Sequence, residues 1–187
     1  MRAMIDAGRT PGVAVAVAID GRIVWTEGFG FANLELQVPA TAETMFGIGS
    51  ISKSLTVTAT ARLADRGLID LDAPIERDVP DFPQAGRGVT IRRIAVHQSG
   101  LSDQFATDHY ETTRNFPTVT SADEAMRGAA LEYAPGTKSV YATGVFTFLG
   151  RALEGATGKP YLEVMRDEVF GPAGLAFVPN DRRAAAR

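Results

Sequence analysis

Ser50-Ile51-Ser52-Lys53 places a serine three residues before a lysine. On a helix, positions i and i+3 are neighbours, with Cβ atoms roughly 5–6 Å apart. A serine hydroxyl is a weak nucleophile until a base takes its proton. A lysine can be that base where burial disfavours its ammonium form. Ser50 at a helix N-terminus would also stand among free backbone N–H groups and the positive dipole end, which favour developing negative charge. The spacing alone is a weak signal, since seven serines and three lysines in 187 residues give about 0.11 matches by chance. The competing reading is an exposed serine cap followed by a solvated lysine. Context favours the chemistry. Lys53 is the one lysine in the first 137 residues, and Gly47 and Gly49 let the backbone come close on the approach to the helix. Ser52 and Ser54 face elsewhere and read as structural.

The helix that carries this pair is expected over residues 50–66, closed by Gly67 as a left-handed stop. Before it, residues 13–19 and 22–31 read as strands joined by Asp20-Gly21, the strongest short-range hairpin signal. The first strand has valines on one face and alanines on the other. A strand apolar on both faces belongs inside a larger covered sheet, because a lone hairpin is marginal in water. Residues 38–43 read as loop. Residues 70–82 carry Pro74 and Pro80 and read as loop with one short helical turn. Thr90 is expected to cap a brief helix through Val96. Ser121 and Glu124 have capping-box spacing and predict another helix. Pro135-Gly136 is a turn, residues 142–156 a helix stopped by Gly158, and residues 160–170 one more. The polar tail, 180–187, has no partner element, and there is no internal repeat. One hairpin followed by about five helices leaves the strands too little sheet. The chain is therefore expected to be incomplete at its C-terminal end, and the free strand edge is expected to favour self-association.

Composition narrows the function classes. The chain is 45% hydrophobic and 22% charged, close to a soluble globular average. A net charge of −3 argues against a nucleic-acid partner. No apolar run reaches the ~20 residues of a membrane-spanning helix. No export signal is visible, which leaves the compartment open. Without cysteine there is no disulfide, no thiolate metal site and no cysteine nucleophile. His97 and His109 lie twelve residues apart with no carboxylate cluster in register, which disfavours zinc. His97 reads instead as a structural residue bonding backbone at a helix end. Phe146, Phe148 and Tyr161 read as core.

The segment Phe46-Gly47-Ile48-Gly49-Ser50-Ile51-Ser52-Lys53-Ser54-Leu55-Thr56 resembles the nucleophile segment of serine beta-lactamase-related proteins. That group includes class C beta-lactamases, penicillin-binding-protein-like peptidases and esterases. Asp70-Leu71-Asp72-Ala73-Pro74-Ile75 and Val96-His97-Gln98-Ser99-Gly100-Leu101 are similar to its connecting segments. Pro135-Gly136-Thr137-Lys138 through Tyr141-Ala142-Thr143-Gly144 resembles its second motif. Gly158-Lys159-Pro160 and Phe170-Gly171-Pro172-Ala173-Gly174-Leu175 resemble the family's segments beyond that motif. Segments in family order over nearly the whole chain are far more specific than one serine–lysine spacing.

The resemblance implies an α/β (α+β) beta-lactamase/transpeptidase-like fold, of which this is the N-terminal part. Residues 1–66 would hold the hairpin and nucleophile helix, 67–170 a helical subdomain, and 171–187 the start of the return to the sheet. It implies acyl transfer through a Ser50 ester on a small-molecule or peptide substrate, an amide or an ester, with no cofactor and no metal. Lys53 and Tyr141 would share the proton work, Tyr141 as relay or base, and Thr143 would position Lys53 or the substrate. Without the resemblance, Tyr141 reads as a half-buried core tyrosine with a backbone partner. Two departures bear on activity. Thr143 stands where the family has asparagine and offers fewer hydrogen bonds. Together with Ile51-Ser52-Lys53-Ser54-Leu55-Thr56 and Val79-Pro80-Asp81-Phe82-Pro83, it resembles the subgroup related to the mitochondrial beta-lactamase-like serine protease and argues against efficient antibiotic hydrolysis. The family's third motif, which supplies one oxyanion-hole N–H, lies beyond Leu175, so only the Ser50 N–H carries over. The alternative is a non-catalytic scaffold or interaction protein that keeps the fold.

Overall fold

The computed structural model describes residues 1–103, 118–123 and 126–175. Expectations that fall on Glu124, His109 and residues 180–187 lie outside the described residues. The chain forms two compact units, Met1–Gly47 and Ile48–Arg187.

In the first unit a short helix, α1 (Arg2–Asp6), precedes an antiparallel sheet. Strands β1 (Gly12–Ile19) and β2 (Arg22–Asn33) pair from Gly12↔Gly30 to Ile19↔Arg22. Asp20 and Gly21 turn the chain with φ of 49° and 73°. Positive φ at both central residues gives a turn whose twist matches that of the strands. A third strand, β3 (Val38–Pro39), pairs with the far end of β2. It corrects the loop expected there; two residues are too short to leave a periodic signal. Gly28 lets the two backbones meet, because a Cβ there would lie 2.4 Å from the Ala40 carbonyl oxygen. Among the described residues β1 keeps one edge unpaired.

The second unit is helical. Among the described residues its helices are α2 (Ile51–Asp65), α3 (Ile91–Ala95), α4 (Val119–Asp123), α5 (Phe146–Thr157) and α6 (Tyr161–Met165). A π turn, Arg166–Phe170, continues α6. Single 3₁₀ turns at Ile75–Arg77 and Gln84–Gly86 interrupt the proline-bearing connection. The core gathers Leu63, Ile75, Ile91, Ile94, Phe148, Leu149 and Leu153, each at most 1% exposed. Phe82 and Phe148 meet edge to face at 4.7 Å, the arrangement ring quadrupoles prefer. Phe146 and Phe148 are buried as expected, and Tyr161 packs against the same cluster.

Helix α2 buries Thr56, Ala59, Thr60 and Leu63, a stripe at helical spacing. Its threonine hydroxyls stay satisfied: Thr56 donates to the Ser52 carbonyl and shares a 2.7 Å hydrogen bond with the Tyr161 hydroxyl, and Thr60 donates to the Thr56 carbonyl. At the far end Gly67 turns left-handed at φ 71°, and Leu68 N–H closes on the Leu63 carbonyl at 2.9 Å. Arg62 and Arg66 both pair with the buried Glu168 carboxylate. The helix is therefore pinned at its C-terminal end, opposite the end that carries Ser50.

Thr90 caps α3 by accepting the Arg93 N–H. Two helix starts differ from expectation. At α4 the reciprocal cap joins Thr118 and Ser121, with Ser121 N–H on the Thr118 hydroxyl at 3.0 Å and Thr118 N–H on the Ser121 hydroxyl at 3.2 Å. That moves the start upstream of Ser121. Helix α5 begins at Phe146 instead of Ala142, because the N–H groups of residues 142–144 bond side chains from another segment. Among the described residues no helix is long and apolar enough to cross a membrane.

Candidate active site

Ser50 precedes the first residue of α2 and has helical dihedral angles, φ −70° and ψ −7°. Its side chain makes no capping bond. The turn into the helix is instead closed through backbone, with Ile51 N–H on the Ile48 carbonyl and Ser52 N–H on the Gly49 carbonyl, both at 3.1 Å. Gly49 sits at φ 50° in this entry turn, which spares a Cβ the cost of the left-handed region. The Ser52 hydroxyl folds back on the Gly49 carbonyl at 2.6 Å. The Ser50 hydroxyl is thus left exposed and free for other partners.

Two partners converge on it. The Tyr141 hydroxyl donates to Ser50 Oγ at 2.6 Å, and Lys53 Nζ donates to the same oxygen at 3.1 Å. Lys53 is half-buried one turn before Thr56, and its ammonium lies 4.9 Å from the Tyr141 ring centre and 5.8 Å from that of Phe146. A cation over two ring faces is held by their quadrupoles. Lys53 beside it, then the Ser50 contact, favour the phenolate and hold the Tyr141 pKa below the ordinary tyrosine value; the Thr143 hydroxyl adds to this and desolvation opposes it. Tyr141 is 56% exposed, not the half-buried core tyrosine of the competing reading.

Tyr141 reaches Ser50 because its segment runs along residues 96–103. Gly136 N–H bonds the Gln98 carbonyl and Val140 N–H the His97 carbonyl, each at 2.9 Å. The Ser139 hydroxyl donates to the Val96 carbonyl at 3.0 Å. The next three amides bond side chains. Ala142 N–H donates to His97 Nδ1 at 3.2 Å, Thr143 N–H to Asp103 Oδ2, and Gly144 N–H to Asp103 Oδ1 at 2.9 Å. The His97 ring stands between Tyr141 and Phe146, at centroid distances of 4.6 and 4.8 Å. His97 thus bonds backbone at the end of α3, as its reading anticipated. Asp103 was missed. It follows a Ser-Gly-Leu-Ser turn, and one aspartate after a turn carries no spacing signal.

All four residues singled out in the sequence therefore lie in the second unit. Ser50, Lys53 and Tyr141 share one hydrogen-bonded cluster, with Thr143 beside the phenol. A hydroxyl oxygen met by a cation and by a phenol with a depressed pKa is an arrangement able to support nucleophilic chemistry.

The Beta-lactamase family model matches residues 1–177. The human serine beta-lactamase-like protein LACTB, mitochondrial, is 43% identical over 111 residues, which is 57% of this chain and 19% of that protein. A D-aminopeptidase of Gluconobacter oxydans is 30% identical over 93% of this chain and 34% of its own length. Among solved structures, the octameric penicillin-binding protein homologue from Pyrococcus abyssi superposes with a TM-score of 0.86 at 26% identity, covering 99% of this chain and 44% of that one. The chain spans less than half the length of each of these relatives. It belongs to the beta-lactamase family and has the beta-lactamase/transpeptidase-like fold, here an α+β arrangement of a small sheet and helices.

Proposed function

We propose that this member of the beta-lactamase family contributes the nucleophile and proton-transfer groups of a serine hydrolase that works by acyl transfer. The observation that carries the reading is the pair of hydrogen bonds on Ser50 Oγ, from Tyr141 at 2.6 Å and Lys53 at 3.1 Å. With Tyr141 as phenolate, the Ser50 proton passes to it as Oγ attacks a carbonyl carbon. The Lys53 ammonium stabilises the phenolate and the charge developing nearby. The oxyanion of the tetrahedral adduct is met by the Ser50 N–H, which has no acceptor among the described residues. Collapse breaks the bond to the amine or alkoxide, which takes the proton from Tyr141 and leaves a Ser50 ester. Water then adds to the ester, its proton goes to Tyr141, and release of the acid returns that proton to Ser50.

Thr143 sits beside Tyr141, and its hydroxyl offers one donor where an amide offers two. In this reading it positions the proton machinery more than it reads a lactam side chain. Activated esters are then better substrates than penicillins or cephalosporins.

A fluorophosphonate probe tests the assignment in the intact protein. Ser50→Ala should abolish covalent labelling and ester hydrolysis, while Ser52→Ala, which loses only a bond to the Gly49 carbonyl, should keep both. Equal loss in the two variants would mean the nucleophile is misassigned. Absence of labelling in the wild type would favour the non-catalytic scaffold. Nitrocefin turnover of ~10 s⁻¹ or more, an ordinary enzymatic rate, would overturn the ester preference.

A further inference from the structure

We propose that His97 and Asp103 form a backbone clamp that sets the reach of Tyr141 to Ser50, and so act as positioning residues for acyl transfer. The inference rests on the functional reading above and deepens it. Three consecutive amides, at 142, 143 and 144, are held by two side chains of one short segment. Consecutive N–H groups pointing at acceptors fix the local dihedrals in a way that one bond cannot. Asp103 takes two of them with separate oxygens, directly before α5, where a carboxylate is favoured by the N-terminal dipole. Gly144 is buried and Thr143 half-buried, so removing the carboxylate strands donors that water reaches poorly.

His97 acts at the other end of the clamp. Its Nδ1 holds the residue after Tyr141, its carbonyl holds the residue before, and its ring lies against the phenol. The direction of the Tyr141 side chain is therefore set from three sides by one residue. His97 itself sits at φ 59°, a region that histidine and asparagine enter more readily than most residues. Displacement of a catalytic group by ~1 Å can cost about 100-fold in rate, so an exposed tyrosine needs such a frame.

The test is the rate of Ser50 labelling by a fluorophosphonate in the intact protein, combined with amide hydrogen exchange at residues 142–144. Asp103→Ala should speed exchange of Thr143 and Gly144 and slow labelling by ~10–100-fold. In a Tyr141→Phe background the same change should slow labelling by less than about 3-fold, because a residue acting through Tyr141 has nothing left to position. His97→Ala should slow labelling similarly. His97→Asn should recover most of that loss, since asparagine accepts the positive φ and its amide oxygen can take the Ala142 N–H. A full effect of Asp103→Ala in the Tyr141→Phe background would overturn the positioning role. Unchanged exchange in Asp103→Ala would overturn the clamp itself. If the wild type is not labelled at Ser50, the functional reading falls and the positioning role with it, while exchange still decides whether the clamp exists. Should Asp103→Ala not fold, Asp103→Asn, which keeps one acceptor, should lose exchange protection at one of the two amides only.

Discussion

Residues 1–47 are held by hydrogen bonds with hardly any burial, whereas the second unit closes around a packed interior. In the first unit Ala40 is the one buried residue, and Ile23, Val24 and Leu36 are 69%, 57% and 75% exposed. In the second, Leu63, Ile75, Leu149 and Leu153 are fully out of solvent. Hydrogen bonds exchanged with water contribute only about 0.5–1.5 kcal/mol each, so a three-stranded sheet without a covered face is marginal. The difference teaches where the candidate chemistry draws its rigidity. Ser50, Lys53, Tyr141, His97 and Asp103 all belong to the unit with the interior.

Core truncation should give the largest contrast between the units. Leu63 and Phe148 are at most 1% exposed, so Leu63→Ala should cost about 2–5 kcal/mol and Phe148→Ala about 3–5 kcal/mol. Ile23→Ala, at 69% exposure, should change stability by no more than about 0.5 kcal/mol. Urea unfolding followed by circular dichroism measures all three. Similar costs at Ile23 and Leu63 would break the comparison, because the sheet would then have a covered face.

The same divide, between local and distant causes, governs which features are legible in the sequence. The Asp20-Gly21 turn, the Gly67 stop and the Thr90 cap each depend on neighbours within five residues, and each was legible. The Ser50–Lys53 pair was legible for that reason too. Tyr141 lies 91 positions from Ser50, and no periodicity brings such residues together; only the resemblance to a family did. Sequence pattern starts α5 four residues too early, because His97 and Asp103, about 40 residues upstream, take the amides of residues 142–144 and keep them out of the helix. The Ser121–Glu124 spacing predicts a helix start at Ser121, whereas Thr118 and Ser121 satisfy each other at the same three-residue spacing and the helix starts upstream, at Val119. Asp103 was illegible altogether, since its role exists only once the two segments lie side by side.

An intermediate effect is expected from the uncovered sheet. Val17, Ile19, Ile23, Val24 and Trp25 are all more than two-fifths exposed, and β1 has an unpaired edge among the described residues. Exposed apolar strands with a free edge invite pairing with another chain. The isolated 187-residue chain is expected to self-associate with rising concentration in sedimentation velocity. Ile19→Lys with Ile23→Lys should weaken that association by ~10-fold, corresponding to about 1.4 kcal/mol. Leu63→Ala at a temperature where it stays folded should not. A monodisperse monomer at high concentration would show that this surface needs no cover.

The smallest effect expected is a pH dependence confined to the second unit. Burial lowers the His97 pKa, the nearby Lys53 ammonium lowers it further, and the Asp103 carboxylate opposes both. The folded chain therefore binds the proton less readily than the unfolded chain, whose histidine titrates near ~6.5. Stability rises with pH wherever the unfolded state holds more protons. It should be level above that value and fall as pH drops from there through the lower folded value. Protonation also puts a hydrogen on Nδ1, which then cannot accept from Ala142. A second acid loss has another origin. The carboxyl of Asp72 is held below the usual range by Arg92, and that of Asp167 by Lys159 and Arg166. Their contribution is present above ~3.9 and is lost only as pH falls through their depressed values. The two windows are separable. His97→Asn should remove the fall that begins near pH ~6.5 and leave the one below ~3.9. Thermal melts from pH 7 to 3, with the Ala142 amide followed by NMR, give both readings. If the variant keeps the upper fall, the group that titrates there is not His97, and the Ala142 bond does not depend on its neutral ring.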